Sequence, residues 1–465
     1  MSVTVTRRRS TAIVLGIVAL LIIAAWAGHH AVETLRALDG DGTQFGLLFT
    51  IGFAFIVLQT ILYFLERPVA AWPWHEKLVL DKLHVTVPVP VYNEDPELLR
   101  RCLWSLLEQE RRPNLVYVVD DGSDLAKVDY GQIYREFGRA ARLAGVEARW
   151  VRTANQGKRH AQGVVFADTS DTDIYVTVDS DALLDRRAIR ELLRPFRSEK
   201  VQSVAGIVVA SNVDKNWLTR LTDLWFVTAQ LVTRSGLSAV GSVLVNSGPL
   251  AAYRAAVCRD NLDGYLNESF MGRRVSFSDD SMLTLYAKMR GRTVQQPSAV
   301  VLSAMPETVS HHARQYVRWM RGSFIRSCWR ARYLPMTEVA FWLHALTWVQ
   351  MLVSSMLVIA LFVVAPLAGV GLAPWMLVVT AAIGLMQAFR YMTYRRSDVS
   401  LGSQLLTLAM FPLAVMWAFF FLRGIRWYGI LTCWKTGWGT RQTVEVRAET
   451  TVAEAEDPQR ALVAA

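Results

Sequence analysis

Cysteine is scarce in this chain. Cys102, Cys258, Cys328 and Cys433 are the four in 465 residues, widely spaced and without a C-x-x-C pair. That pattern supports neither a disulfide framework nor a zinc site, and free thiols fit a reducing compartment. Charge is thin as well: 19% of residues are charged against 52% hydrophobic, 16 Trp among them, too apolar for an ordinary soluble protein of this length. There is no internal repeat, and no pair of matched apolar halves of the kind transporters carry. Acidic residues are outnumbered, leaving a formal charge of +10, which suits inner-leaflet lipids, nucleic acid or a phosphorylated substrate.

The apolar residues are concentrated at the two ends. Thr6-Arg7-Arg8-Arg9 precedes a run from about Thr11 to Ala27, and a second run extends from Phe45 to Leu65. Each is long enough to cross roughly 30 Å of hydrocarbon, and no small-residue cleavage site separates them, so two spanning helices are expected rather than a signal peptide. Arginines at positions 7–9 and at Arg67 place both flanks in the cytoplasm by the positive-inside rule. Further candidate spans lie at about Val339 to Val364, Ala373 to Met392 and Leu401 to Leu422. Three full spans conflict with a cytoplasmic placement of both Arg390–Arg396 and Arg423–Arg441, and Pro412 is a candidate break in the last run. The expected division is 1–70 as an N-terminal membrane region with two helices and 80–310 as a catalytic domain. Residues 311–335 form amphipathic interface helices, 336–441 a membrane or channel region, and 442–465 a disordered tail.

Between the membrane segments, short β-rich runs alternate with helical patterns: HVTVPVPVY, ELLRRCLWSLLEQ, LVYVVDDGS, EARWVRT, IYVTVDSD and VQSVAGIVVAS. This alternation predicts an α/β domain with a mostly parallel sheet, whose ligands sit beyond the carboxyl ends of the strands. Tyr92 and Glu94 end the first such strand. Asp120-Asp121-Gly122-Ser123 ends the second, placed to accept from a nucleotide base or ribose, although Asp-Gly-Ser is also a common turn. Gly157-Lys158-Arg159 offers cations to a diphosphate, or a solvated basic turn. Asp179-Ser180-Asp181 puts two carboxylates at the end of a buried-type strand, a pattern that Mg²⁺ or Mn²⁺ would neutralise with help from phosphate oxygens. Ser247-Gly248-Pro249 is either a plain loop or a narrow wall where an acceptor approaches the backbone, and Ala252 follows it.

Asp279-Asp280 opens a helix, so one carboxylate is a candidate cap and one a candidate general base. Downstream, Gln315, Arg318 and Trp319 form a Q-x-x-R-W pattern on a basic, aromatic helix. Arg314, Arg318 and Arg321 share one face of it, which fits either a lipid surface or recognition of a sugar diphosphate.

As an ordered set, VPVYNED, VVDDGSD, NQGKR, DSD, SGPL-AAYR, SDD and QYVRW resemble the processive family-2 glycosyltransferases, nearest to hyaluronan synthases and next to rhizobial chitin-oligosaccharide synthases. The resemblance covers about residues 84–335, with an echo at Trp438-Gly439-Thr440-Arg441. It implies a GT-A domain on the cytoplasmic face of the plasma membrane, inserted between N- and C-terminal helices that form a channel. It assigns Asp120, Asp121, Tyr92 and Glu94 to the nucleotide sugar, Lys158 and Arg159 to its diphosphate, and Asp179 and Asp181 to the metal, Asp181 as the direct ligand. Asp280, with Asp279, becomes the catalytic base. Gln315 and Arg318 hold the diphosphate, while Trp319 with Ser247, Gly248 and Pro249 faces the acceptor. The implied partners are UDP-sugars, the growing polysaccharide and membrane lipids, with no nucleic acid. Departures are Ser278 where Gly is usual before the Asp pair, and Ala252, which lies near the acceptor wall where Cys or Met is common. A chitin-type synthase and a non-processive transfer to a lipid phosphate are the alternative readings.

Overall fold

The computed structural model describes residues 5–7, 10–39, 43–364, 367 and 374–437. The Trp438–Arg441 motif and the tail after it lie outside the described residues. At the centre is an eight-stranded mixed sheet, whose strands we number β1 (Val85–Val91), β2 (Leu115–Asp120), β3 (Glu147–Arg152), β4 (Ile174–Thr177), β5 (Leu183–Leu184), β6 (Val201–Ala210), β7 (Ala251–Arg254) and β8 (Arg292–Ser303). Their order across the sheet is β3-β2-β1-β4-β7-β6-β8-β5.

β1 to β4 run parallel, linked through the helices Pro96–Leu107, Gly131–Leu143 and Lys158–Asp168. Alternation across the pleat builds two cores. Val116 and Val118 of β2 pack with Val87, Leu103 and Phe137 on one face, while Leu115, Tyr117 and Val119 pack with Val165, Phe166 and Tyr253 on the other. The first crossover helix starts sharply because Asp95 accepts the N–H groups of Glu97 and Leu98 at 2.9 and 3.1 Å, with Pro96 in the first turn.

Parallel β1–β4 send the turns after all four strands to one edge of the sheet. β7 adds a fifth. It is antiparallel to both β4 and β6, with Ala251 opposite Thr177, so the turn that precedes it reaches the same edge. β5, β7 and the twelve-residue β8 are additions to the sequence-predicted strands; β8 holds β6 in parallel and short β5 in antiparallel. Ala252 corrects an expectation. It sits between β4 and β6 with no exposed surface, in the hydrophobic core rather than on an acceptor wall.

At the N-terminus, helices Thr11–Asp39 and Thr43–Leu65 match the two expected apolar runs, and Val339–Ile359 with its π-helical continuation Ala360–Val364 matches the third. Among the described residues, three helical stretches are long and apolar enough to cross a membrane: Thr11–Glu33, Val339–Val364 and Phe411–Ile430. Thr50–Leu65 and Leu377–Thr393 are shorter apolar helices. The last run is interrupted where Pro412 suggested. Helix Leu401–Ala409 stops at Met410 and a new helix begins at Phe411 with proline in its first turn, where a missing N–H costs nothing. Both ends of this broken element rest on the sheet domain or its flanking helix. Ser403 bonds to Asp214 and Arg220, and Arg321 Nε donates to Thr432 Oγ1 at 3.0 Å. A two-stranded ribbon, Val5–Arg7 against Tyr394–Arg396, ties the N-terminal segment to the basic loop, and Val5 N–H donates to Asp185 on the sheet domain at 2.8 Å.

Candidate active site

The turn after β1 and the turn after β2 are cross-linked. Asn93, at φ 46°, donates its N–H to Ser123 Oγ at 3.0 Å and accepts from Asp124 N–H at 2.8 Å. Asp120 accepts from Ser123 N–H at 2.9 Å and stands 3.8 Å from Arg152. Both oxygens of Asp121 are taken by the next turn: Gln156 and Gly157 donate their N–H groups at 3.0 and 2.8 Å. Burial nevertheless outweighs these bonds and raises the pKa of Asp121. Gly122, at φ 75°, is required here, since a Cβ would lie 2.8 Å from the backbone nitrogen of Asn155. Tyr92 stays half-buried above this floor.

Lys158 is the hinge of the site. Its Nζ bonds Asp179 Oδ1 at 2.7 Å and pairs with Asp279 Oδ2 at 3.0 Å, bringing the D-x-D turn and the acidic helix start together. Burial disfavours its charge, but Asp179 and Asp279 prevail and its pKa is raised. Gly248 of the turn before β7 closes on the same spot: a Cβ there would sit 3.2 Å from Lys158 Nζ and 3.3 Å from Asp179 Oδ2. Ser247 beside it accepts from Arg234 at 2.6 Å. Glu94 is buried beneath the D-x-D turn and accepts from Ser180 Oγ at 2.8 Å, a link that sequence reasoning did not supply.

The acidic pair splits electrostatically. Burial works against ionisation of Asp279, yet Lys158 outweighs it and holds the carboxyl below its ordinary range. Asp280 is pushed up to about 6 by burial and by the charge on Asp279, with Lys158 opposing in part. A carboxylate poised there can take a proton near neutral pH.

Q-x-x-R-W lies on one continuous helix, Val309–Tyr333, rather than on several short ones. Trp319 stacks on Phe226 of the Trp217–Ala229 helix, with ring centroids 5.7 Å apart, and meets Tyr316 edge-on. Tyr316 in turn packs with Trp225, and His312 bridges to Trp417. These aromatic partners come from distant parts of the chain and carried no local signal. The side-chain oxygen of Gln315 is buried without a protein partner, the state of an acceptor that a ligand donor would satisfy. Arg159 turns away from the carboxylate cluster, to Glu268 and the Phe277 carbonyl.

Residues 83–322 match the family described as Glycosyltransferase like family 2. The chain belongs to that family. Over 444 residues this glycosyltransferase is 31% identical to a hyaluronan synthase of Streptococcus pyogenes, spanning 94% of this chain and 99% of the relative. It is also 34% identical over 242 residues to an N-acetylglucosaminyltransferase of Azorhizobium caulinodans, covering 52% of this chain and 59% of that one. Among solved structures it resembles a mannosyltransferase of Pyrobaculum calidifontis in complex with GDP-mannose and Mn²⁺, with a TM-score of 0.52 and 21% identity over 80% of this chain and 99% of that one. The likeness shows the GT-A fold. The glycosyltransferase therefore has the expected fold class and enzymatic activity, with apolar helices on both sides of the catalytic domain.

Proposed function

We propose that this glycosyltransferase is a membrane-embedded, processive, inverting synthase that polymerises UDP-activated sugars into a β-linked polysaccharide and passes it across the membrane. The observation that carries the reading is the meeting of the Lys158-bridged carboxylates with the acidic helix start, on the α/β domain whose next helix bears Q-x-x-R-W. Tyr92 and Asp120 receive the nucleotide, Asp120 through the oxygen that stands 3.8 Å from Arg152. Glu94, Asp121 and Arg159 shape the turns that hold their neighbours, since their side chains bond within the protein.

Among the described residues no cluster of three or more His, Cys, Asp or Glu is arranged for a metal ion. Asp181 with Asp179 fits a hard divalent cation that completes its shell from phosphate oxygens and water, and the Mn²⁺ of the mannosyltransferase neighbour supports that assignment. Bound there, Mg²⁺ or Mn²⁺ would offset charge on the UDP leaving group. Lys158, Arg318 and the amide nitrogen of Gln315 hold the diphosphate. Asp280 takes the proton of the acceptor hydroxyl; the acceptor oxygen then bonds the anomeric carbon from the face opposite the departing UDP, which inverts the centre. Trp319, backed by Phe226, stacks the acceptor sugar against the Ser247–Pro249 turn.

The near full-length similarity to a hyaluronan synthase favours UDP-GlcNAc and UDP-GlcA as donors. A chitin-type polymer from UDP-GlcNAc alone is the second reading, favoured by the N-acetylglucosaminyltransferase similarity. Inverted vesicles supplied with labelled UDP-sugars singly and in pairs separate them. A long polymer that needs both sugars supports hyaluronan, one that needs UDP-GlcNAc alone supports chitin, and a single sugar in the lipid phase overturns processive synthesis.

A further inference from the structure

Glu268 lies in the loop between helix Leu262–Leu266 and the acidic helix, and no motif flags it. Glu268 is 6% exposed, and both of its carboxylate oxygens are engaged. Oε2 accepts from Arg159 at 2.6 Å and from Arg326 at 2.7 Å, while Oε1 pairs with Arg326 and accepts from Trp329 Nε1 at 2.8 Å. Burial alone would raise the Glu268 pKa, but the two guanidinium groups dominate and lower it.

The three partners sit on two of the pieces that the chemistry needs aligned, and two of them, Arg159 and Arg326, reach the third, the acidic helix with the turn before it. Arg159 follows Lys158, and its second nitrogen donates to the Phe277 carbonyl, two residues before Asp279. Arg326 is fully buried on the Val309–Tyr333 helix, two turns beyond Arg318 and Trp319, and reaches Met282 Sδ on the acidic helix at 2.9 Å. Trp329 belongs to the same long helix. At the adjoining contact, the helix presses on the turn so closely that a Cβ on Gly322 would fall 1.7 Å from Ser278 Oγ. One carboxylate thus neutralises two buried cations and joins the Lys158 turn, the Asp279–Asp280 start and the Q-x-x-R-W helix. Arg159 and Arg326 would repel one another without it.

We propose that Glu268 is a positioning residue that sets the Q-x-x-R-W helix against the Lys158 turn and the Asp280 base, and thereby governs turnover without touching substrate. This rests on the roles given above to Lys158, Asp280 and Trp319. A displacement of about 1 Å between reacting groups lowers turnover on the order of 10²-fold.

The test uses the full-length protein in detergent, with UDP release from the UDP-sugar the parent consumes as readout, and UDP binding with Mn²⁺ to count competent sites. For Glu268→Gln, turnover per UDP-binding site is expected to fall on the order of 10²-fold. A merely structural role would remove sites and leave turnover per site at the parental value, which overturns the proposal. Trp329→Phe keeps both ion pairs and removes one hydrogen bond, so it serves if Glu268→Gln does not fold. Its turnover per site is expected to fall about threefold, by the loss of about one ordinary hydrogen bond's worth of alignment, and an unchanged value overturns the proposal. A failure of the polysaccharide reading would show instead in the parent's product, which the ratio of variant to parent does not depend on.

Discussion

Asp279 and Asp280 are adjacent in the chain and meet opposite electrostatic fates. Lys158 reaches Asp279 and keeps it ionised, whereas Asp280 has the charged Asp279 as a neighbour and only a share of the lysine. The pair therefore divides into a fixed anion and a base that titrates at about 6. Transfer is expected to rise as pH increases through 6 and the base ionises, a limb that a pH–kcat profile checks and that Asp280→Asn removes along with transfer, while UDP binding persists. Stability runs the other way. The folded pKa of Asp280 lies above the ordinary value of 3.8, so its bound proton favours the fold below about pH 4 and that contribution is lost as pH rises through 6. Asp280→Asn is accordingly expected to unfold at a higher temperature than the parent at pH 7, read by thermal melts. Gly322 gives a second residue-scale test. It leaves room for Ser278, whose left-handed backbone (φ 57°, ψ 45°) is the conformation that glycine adopts most freely. Gly322→Ala forces a side chain into that contact and is expected to destabilise the fold by about 1–3 kcal/mol, measured by denaturant unfolding.

At the scale of elements, the Val309–Tyr333 helix is the one most changed by the fold. Its arginine face fits a lipid surface when read as sequence, but Arg321 bonds Thr432 and Arg326 is fully buried with Glu268. Its aromatic side is a shelf with Phe226, Trp225 and Trp417 rather than a single ring. Trp319→Ala is expected to shorten the product and raise the acceptor requirement with little change in UDP affinity, which size analysis and UDP titration check. Phe226→Ala is expected to do the same more weakly. The strands at β1 to β4 were legible because β-branched runs alternate with helical patterns and end in acidic or glycine turns. β7 was not, since its four residues, Ala-Ala-Tyr-Arg, carry no alternation; what makes them a strand is the gap between β4 and β6. Ala252 belongs with that miss, a core residue read as lying near an acceptor wall.

For the whole molecule, the count of membrane crossings turns on where the ends of the last apolar element rest. Residues 5–7, the basic loop at Tyr394–Arg396 and both ends of the 401–430 stretch contact the catalytic domain or its flanking helix. With the positive-inside rule, we propose from these contacts two crossings on each side of the catalytic domain, with the 401–430 element returning to the inner face. A tag placed within 365–373 is expected to be reached by protease from outside intact cells, and one within 397–400 to be protected; the reverse labelling would discard this arrangement. EDTA is expected to stop transfer and Mn²⁺ or Mg²⁺ to restore it, with UDP release as the assay.

Composition and order alone determined that the chain has apolar ends and an α/β middle, and that its acidic and basic turns belong to one glycosyltransferase family. Those properties are local: periodicity, strand-end carboxylates and motif order survive without any knowledge of partners. What the tertiary structure decided is which charges meet. Lys158 joins Asp179 and Asp279 across 21 and 121 positions, Glu268 gathers Arg159 and Arg326, and Phe226 backs Trp319. A side chain's role in a buried site depends on the field and the contacts around it, and these come from residues that only the fold makes neighbours. Lys158 and Arg159 make the point: adjacent cations in one turn, the first is pinned among the acidic residues of the site and the second is bonded to Glu268.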